Sequence, residues 1–305
     1  MADVHRLVME HGRLRARELA QVDQRPLVDL AAKVLEEESQ ALGITYSGFC
    51  LTSLPHKRLA DNQHWERKGA RITLLVEPGR LKVRGETRLF GVPYGSRARL
   101  ILLYLQTCAV LENSSQVELG RSMNAWLERM GIPVGGKTYN DVREQASRIS
   151  ACNLTFFWED EGREAYKKDP LVIGGIRMRP DTEQGRLWED TVQLSDTFFR
   201  ALRSHPVPLW EPAIRHLQNR SMALDVYVWL AYRLHVLAKA TPVSWPSLFQ
   251  QFGGGFKDVK HFKPRFRAAV AYATTVYPDA HIEFTPRGLT LHPSRPPVAA
   301  QRLLA

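Results

Sequence analysis

Hydrophobic positions recur at helical spacing in some stretches and alternate in others, and the switches between the two periods predict the elements. Leu27, Leu30, Val34, Leu35 and Leu42 recur at near-helical spacing beside the acidic run Glu36, Glu37, Glu38, so the first 43 residues read as an amphipathic arm. From 71 to 84 two β-rich runs flank Pro78-Gly79, as a hairpin would. Leu100, Leu103, Tyr104, Thr107 and Leu111 then repeat at three and four, which predicts a buried helix over 96–111. Ser122 can cap a second helix that Gly131 ends. Beyond Gly135-Gly136, a third helix from about Asn140 to Cys152 turns Val142, Ala146 and Ile149 inward and Arg143, Gln145 and Arg148 outward. Strands are expected at 154–158 and 171–179, separated by a polar loop over 159–169.

Pro206, Pro208 and Pro212 mark the best domain boundary, because proline continues neither a helix nor a central strand. The order of elements then returns. Ser221 can cap a helix with Leu224, Tyr227, Val228, Ala231, Leu234 and Ala238 in one stripe. A short helix over 245–252 starts behind Ser244, holds Pro246 in its first turn and stops at Gly253-Gly254-Gly255. The next helix is expected from near Pro264 to Tyr277. Phe266, Ala269, Val270, Ala273 and Val276 face inward, Arg265, Ala268, Tyr272 and Thr275 outward, and Arg267 lies at the margin. A period-two hairpin over 281–292 follows, with Arg287 at its tip. Helix, helix, turn, helix and β-ribbon thus occur twice, which predicts an α+β chain of two winged-helix domains in tandem behind a helical arm. The expected segments are the arm 1–43, a first domain 44–205, a second domain 206–298 and a tail 299–305.

Length and composition agree with two water-soluble domains: 305 residues, 44% hydrophobic and 24% charged. The apolar run over 100–111 is broken by Gln106 and Thr107 and is too short for a membrane span, and His5, Arg6, Glu10, His11 and Arg13 interrupt the N-terminus as a secretory signal. A cytoplasmic protein without membrane contact is expected. Cys50, Cys108 and Cys152 are far apart and form no C-x-x-C pair, so they read as buried thiols. Charge changes the picture more. Residues 206–305 hold 12 basic and 5 acidic side chains, net +7 of the total +10, so the C-terminal third is the candidate polyanion-binding face.

Within it, Lys257, Lys260, His261, Lys263, Arg265 and Arg267 precede or open a helix whose outer residues are small or hydrogen-bonding, with Asp258 the one acid among them. Cations at the start of such a helix neutralise phosphates, and a small residue such as Ala268 lets Tyr272 or Thr275 approach base edges while Arg287 serves the hairpin. Asn140, Arg143 and Arg148 form a weaker candidate on the first half's third helix, since Asp141 and Glu144 lie beside them; a dimer interface competes there. Double-stranded DNA is therefore the expected partner. The signatures H-E-x-x-H and G-x-S-x-G are absent, and no two histidines are separated by one residue. The chain is expected to be no enzyme and to use no cofactor or metal. A metal-dependent nicking enzyme and a dedicated transcriptional repressor stand as alternatives.

Tyr94-Gly95 through Ala98-Arg99-Leu100-Ile101-Leu102, Leu119-Gly120-Arg121-Ser122-Met123, and Gly135-Gly136 followed by Glu144-Gln145 resemble the first domain of plasmid replication initiators of the RepA type. Ala223-Leu224-Asp225-Val226-Tyr227, Trp229-Leu230, Ser244-Trp245, Gln251-Phe252-Gly253, Phe262, Phe266 and Tyr277-Pro278 through Gly288-Leu289 resemble the C-terminal domain of that family. The resemblance implies binding to short direct repeats (iterons) at a plasmid origin, duplex opening with host DnaA and loading of the replicative helicase. It also implies a homodimer in equilibrium with monomer that represses its own promoter.

Overall fold

The computed structural model of the chain describes residues 3–69, 71–83, 85–160, 163–173 and 191–298. The chain runs through α1 (Asp3–Leu19), α2 (Arg25–Glu36), β1 (Leu42–Tyr46), α3 (Ser47–Leu51), β2 (Trp65–Lys68), β3 (Ile72–Glu77), β4 (Gly79–Val83) and β5 (Glu86–Phe90). Next come α4 (Gly95–Leu111), β6 (Gln116–Glu118), α5 (Met123–Arg129), α6 (Gly136–Ala151), β7 (Asn153–Asp160), β8 (Arg163–Pro170), β9 (Val172–Ile173) and β10 (Thr191–Leu194). They are followed by α7 (Asp196–Ser204), β11 (Pro206–Trp210), α8 (Glu211–His216), α9 (Ser221–Arg233), β12 (Thr241–Ser244), α10 (Trp245–Phe252), α11 (Val259–Thr275), β13 (Ile282–Thr285) and β14 (Gly288–Leu291). Two compact units result. One is Ile44–Pro206; the other joins the segment up to Gly43 to the part from Val207 onward. No helix among the described residues is long and apolar enough to cross a membrane.

In Ile44–Pro206, α4 is apolar on nearly every side and is buried accordingly, with Leu100, Ile101 and Leu105 at its centre. Gln106 stays inside because its amide accepts from the Tyr46 N–H at 2.7 Å and donates to the Leu102 carbonyl at 2.8 Å. Ser122 caps α5 through the Ala125 N–H, as the sequence suggests. α6 packs Val142, Ala146 and Ile149 inward but begins at Gly136, ahead of the expected Asn140, because Gly135 itself is the N-cap residue.

The strands on either side of Pro78-Gly79 exist, but they are no hairpin. β3 is an inner strand of the antiparallel sheet β2-β3-β7-β8, whereas β4 pairs only with β5. A Cβ at Gly79 would lie 1.7 Å from the Ala151 carbonyl oxygen, so the glycine lets the chain cross under the end of α6. The expected loop over 159–169 is largely strand, since β7 and β8 form one long antiparallel ribbon, and of the strand expected at 171–179 the structure gives Val172–Ile173. Residues 174–179, Glu161 and the tail 299–305 lie outside the described residues.

In the other unit, α10 spans 245–252 as its local signals predict: Ser244 accepts from the Ser247 N–H, Pro246 occupies the first turn and Gly253 ends it. Ser221 is the first residue of α9 and not its cap, and the helix yields to a 3-10 turn at Leu234–Val236 before reaching Ala238. The core is aromatic. Phe262 and Phe266 lie 5.0 Å apart, Phe252 and Phe266 5.3 Å, and Trp229 and Phe252 5.3 Å between ring centroids. The arm belongs to this unit: α1 and α2 enclose Val8, Ala16, Val28 and Ala31, and α2 packs against α11.

The two units share one sheet order, although β7 and β8 intervene between α6 and β9 in the first. α4, β6, α5, α6, β9 and β10 build a sheet of order β6-β10-β9, and α9, β12, α10, α11, β13 and β14 build one of order β12-β14-β13. In both, the strand between the first two helices pairs with the second strand of the terminal ribbon.

Candidate nucleic-acid interface

α11 begins at Val259, five residues before Pro264. Asp258 is its cap: the carboxylate accepts from the His261 N–H at 3.0 Å and lies 2.8 Å from the His261 ring nitrogen. These bonds hold the Asp258 carboxyl below its ordinary range. The lone acid of the basic run is thus engaged at the helix start. Lys260, His261 and Lys263 belong to the first turns of α11 and not to an approach segment. Pro264 lies inside the helix at an exposed position, and the buried Phe262 and Phe266 on either side anchor the turn that lacks its hydrogen bond.

The exposed side carries two basic ridges. Lys260, Lys263 and Arg267 lie at i, i+3 and i+7; His261, Arg265, Ala268 and Tyr272 at i, i+4, i+7 and i+11. Lys260, His261, Arg265, Arg267 and Ala268 are exposed and Lys263 is half-buried. The first ridge leans on aromatic rings: the Lys263 ammonium is 5.1 Å from the Trp245 ring centre, and the Arg267 guanidinium is 4.3 Å from that of Phe284 and 5.5 Å from that of Trp245. Trp245 and Phe284 are themselves stacked at 6.2 Å and 12°. Helix α11, helix α10 and the β13–β14 hairpin are thereby locked together at the cationic surface.

Arg287 is exposed at the hairpin tip, where its carbonyl accepts from the Trp245 N–H at 2.9 Å. Gly288 follows it because a Cβ there would lie 1.9 Å from the Val243 carbonyl oxygen on β12. Lys257 is exposed in the turn before Asp258. On the second ridge, the Tyr272 hydroxyl accepts from Arg220 at 3.1 Å, and the Arg220 guanidinium stacks 4.0 Å above the ring. Arg220 was not among the expected residues; it precedes α9 by sequence, and no local pattern links it to position 272.

Two expected contacts are corrected. Thr275 is 1% exposed: its hydroxyl donates to the Ala271 carbonyl at 2.8 Å, and its own carbonyl accepts from His5 Nε2 at 2.9 Å. The arm covers the last turn of α11, which helical periodicity alone does not reveal. Arg148 is 2% exposed and bonds to Asp61 at 2.7 Å, to the Glu144 carboxylate at 3.0 Å and to the Val92 carbonyl at 3.2 Å. It is an internal tie because α6 is covered on a wider arc than its aliphatic stripe suggests. The neighbouring Gln145 is buried as well, accepting from the Tyr94 N–H at 2.8 Å. The Glu144–Arg148 spacing of four was the available signal. Asn140 remains exposed and Arg143 half-exposed, but Arg143 donates to Asn140 at 3.2 Å, and Asp141 and Glu144 dilute the charge. Of the thiols, Cys50 and Cys152 are buried and Cys108 is half-buried; burial pushes Cys50 well up and Cys152 to about 12.

The fold defines the class as a mixed α/β chain with eleven α-helices among the described residues and several small sheets. Residues 92–246, half of the chain, match the family model described as plasmid encoded RepA protein, and the chain belongs to this family of plasmid replication initiators. Among solved structures it is similar to the crystal structure of RctB domains 2–3, at 12% identity and a TM-score of 0.46 over 79% of this chain and 93% of that one. The selenomethionine derivative of RctB domains 2 and 3 gives the same identity and TM-score over 73% and 82%. No curated protein matches the chain.

Proposed function

We propose that the chain initiates plasmid replication by binding direct repeats at the origin through two winged-helix units, with α11 as the main reading helix. The carrying observation is the exposed cationic side of α11, clamped through Trp245 and Phe284 to a hairpin whose tip presents Arg287. A helix with cations at its N-terminal turns and a small residue, Ala268, at mid-face suits the major groove, and the hairpin suits the adjacent backbone. The repeated sheet order, first strand beside third, supports the same reading for Ile44–Pro206. In this reading, which the resemblance to such initiators supports, the bound protein opens the duplex with host DnaA, recruits the replicative helicase in the cytoplasm, and represses its own promoter as a dimer in equilibrium with monomer. This role is binding; it assigns no catalytic residue.

Replacing Lys257, Lys260 and Lys263 together by Ala tests the reading. Each phosphate contact adds about 0.9 to the slope of log affinity against log salt, so the variant's slope is expected to flatten by roughly 2 to 3 and its affinity to fall on all sequences alike. An unchanged slope places the DNA on another surface.

A further inference from the structure

The base of the β13–β14 hairpin holds a group of side chains that DNA binding does not use. Alternation along β13 puts His281 and Glu283 on one face, and His292, just past β14, lies opposite, its N–H donating to the His281 carbonyl at 3.0 Å. His281 Nε2 lies 3.5 Å from Glu283 Oε1, and His292 Nε2 lies 3.6 Å from the same oxygen. One ligand atom from each of the three fits within a 4.8 Å sphere of mutual separation. The two imidazoles stack at 4.1 Å and 15°, so both rings are held beside one carboxylate. His292 Nε2 is shielded from solvent and makes no hydrogen bond among the described residues.

We propose that His281, Glu283 and His292 form a divalent transition-metal site, with Zn²⁺ as its occupant. Tetrahedral Zn²⁺ with bonds of about 2.0–2.1 Å sets its ligands about 3.3–3.4 Å apart, close to the two histidine–carboxylate separations. Two imidazoles and one carboxylate suit Zn²⁺ and its neighbours over Mg²⁺ or Ca²⁺, which prefer all-oxygen shells. Three protein ligands leave a fourth position to water. The strands already hold the backbones in register, and binding requires the two imidazoles to turn out of their near-parallel stack so that both lone pairs converge on the ion. The ion joins the two ends of the hairpin and satisfies the shielded His292 nitrogen. Sequence pattern hides the site because its third ligand comes from across the hairpin, and no H-x-H pair exists.

The test uses the full chain without a polyhistidine tag, stripped by chelator and titrated with ZnCl₂ by calorimetry. One Zn²⁺ per chain is expected, with a rise in melting temperature because the ion binds the folded state. His281→Ala and His292→Ala should each weaken binding by at least the roughly ten- to hundredfold seen on losing an outer-shell partner. His11→Ala, at an exposed position of α1, should leave it unchanged. With Co²⁺ as probe, visible ligand-field absorption of a tetrahedral site should appear and be lost in His292→Ala. Native-like Zn²⁺ binding by both hairpin variants, or no saturable binding by the native chain, overturns the proposal.

Discussion

Arg148 shows how the surroundings decide what a charge does. Its guanidinium is enclosed among Asp61, Glu144 and the Val92 carbonyl, and Arg58 approaches the same two carboxylates. Removing one partner of a buried ion pair costs about 3–5 kcal/mol; since both acids keep partial exposure, Arg148→Ala is expected to lose about 3 kcal/mol in urea denaturation. Its salt slope for DNA should not change. A flattened slope with native stability would return Arg148 to the DNA surface. His56 gives the opposite case, a group kept neutral. Burial, and then the charges of Arg99 and Arg67, push its pKa well below 6.5. Below that value the unfolded chain binds the proton and the folded chain resists it, so stability is full above pH 6.5 and falls as the pH drops. His216, also lowered, adds a dependence of the same sign. His56→Gln is expected to reduce the decline in unfolding free energy, from urea denaturation, between about pH 7 and pH 5.5, by up to about 1.4 kcal/mol per pH unit. An unchanged decline would show that His56 titrates normally.

At the scale of elements, α11 carries some cations that are anchored on neighbouring groups and one that is not, and the proposed DNA contact rests on this difference. Arg267 is stacked on Phe284 and Tyr272 is held by Arg220, whereas Arg265 makes no hydrogen bond or ion pair among the described residues. Substituting Arg265, Arg267 or Tyr272 by Ala should narrow the gap between cognate and random duplex, with Arg265→Ala costing about 1–3 kcal/mol of discrimination and leaving random binding nearly intact. If fluorescence titration finds full discrimination in all three variants, the bases are read elsewhere. The elements legible in the sequence were those fixed by local chemistry. Ser122 and Ser244 cap where expected, and Ser-Trp-Pro at one end and glycine at the other bound α10. Structure and pattern differ where distant chain intervenes. β3 pairs with β7 across a long separation, Thr275 is covered by the arm, and Arg148 is enclosed by segments from far upstream. The inward stripe is clear only from Pro264 onward, whereas the aspartate cap that starts the helix lies six residues earlier. The charged ridge itself was legible, because a run of cations needs no tertiary partner to be recognised; the aromatic clamp and Arg220 were not, because they are contacts across the fold.

For the whole molecule, the proposed reading of both units as DNA-binding makes a prediction about stoichiometry. Two reading helices in successive major grooves contact sites about one turn, roughly 10 base pairs, apart, so one repeat should span about two turns. The two units differ in sequence and in charge: α11 is strongly basic on its outer side, while α6 mixes Asn140 and Arg143 with Asp141 and Glu144. The bound repeat should therefore lack two-fold symmetry, unlike the palindromic site of a symmetric dimer. Native mass spectrometry of the full chain on a duplex bearing one origin repeat measures this directly. One chain per asymmetric repeat is the expected result; two chains bound only to an inverted repeat would contradict the account and point to a dimeric repressor.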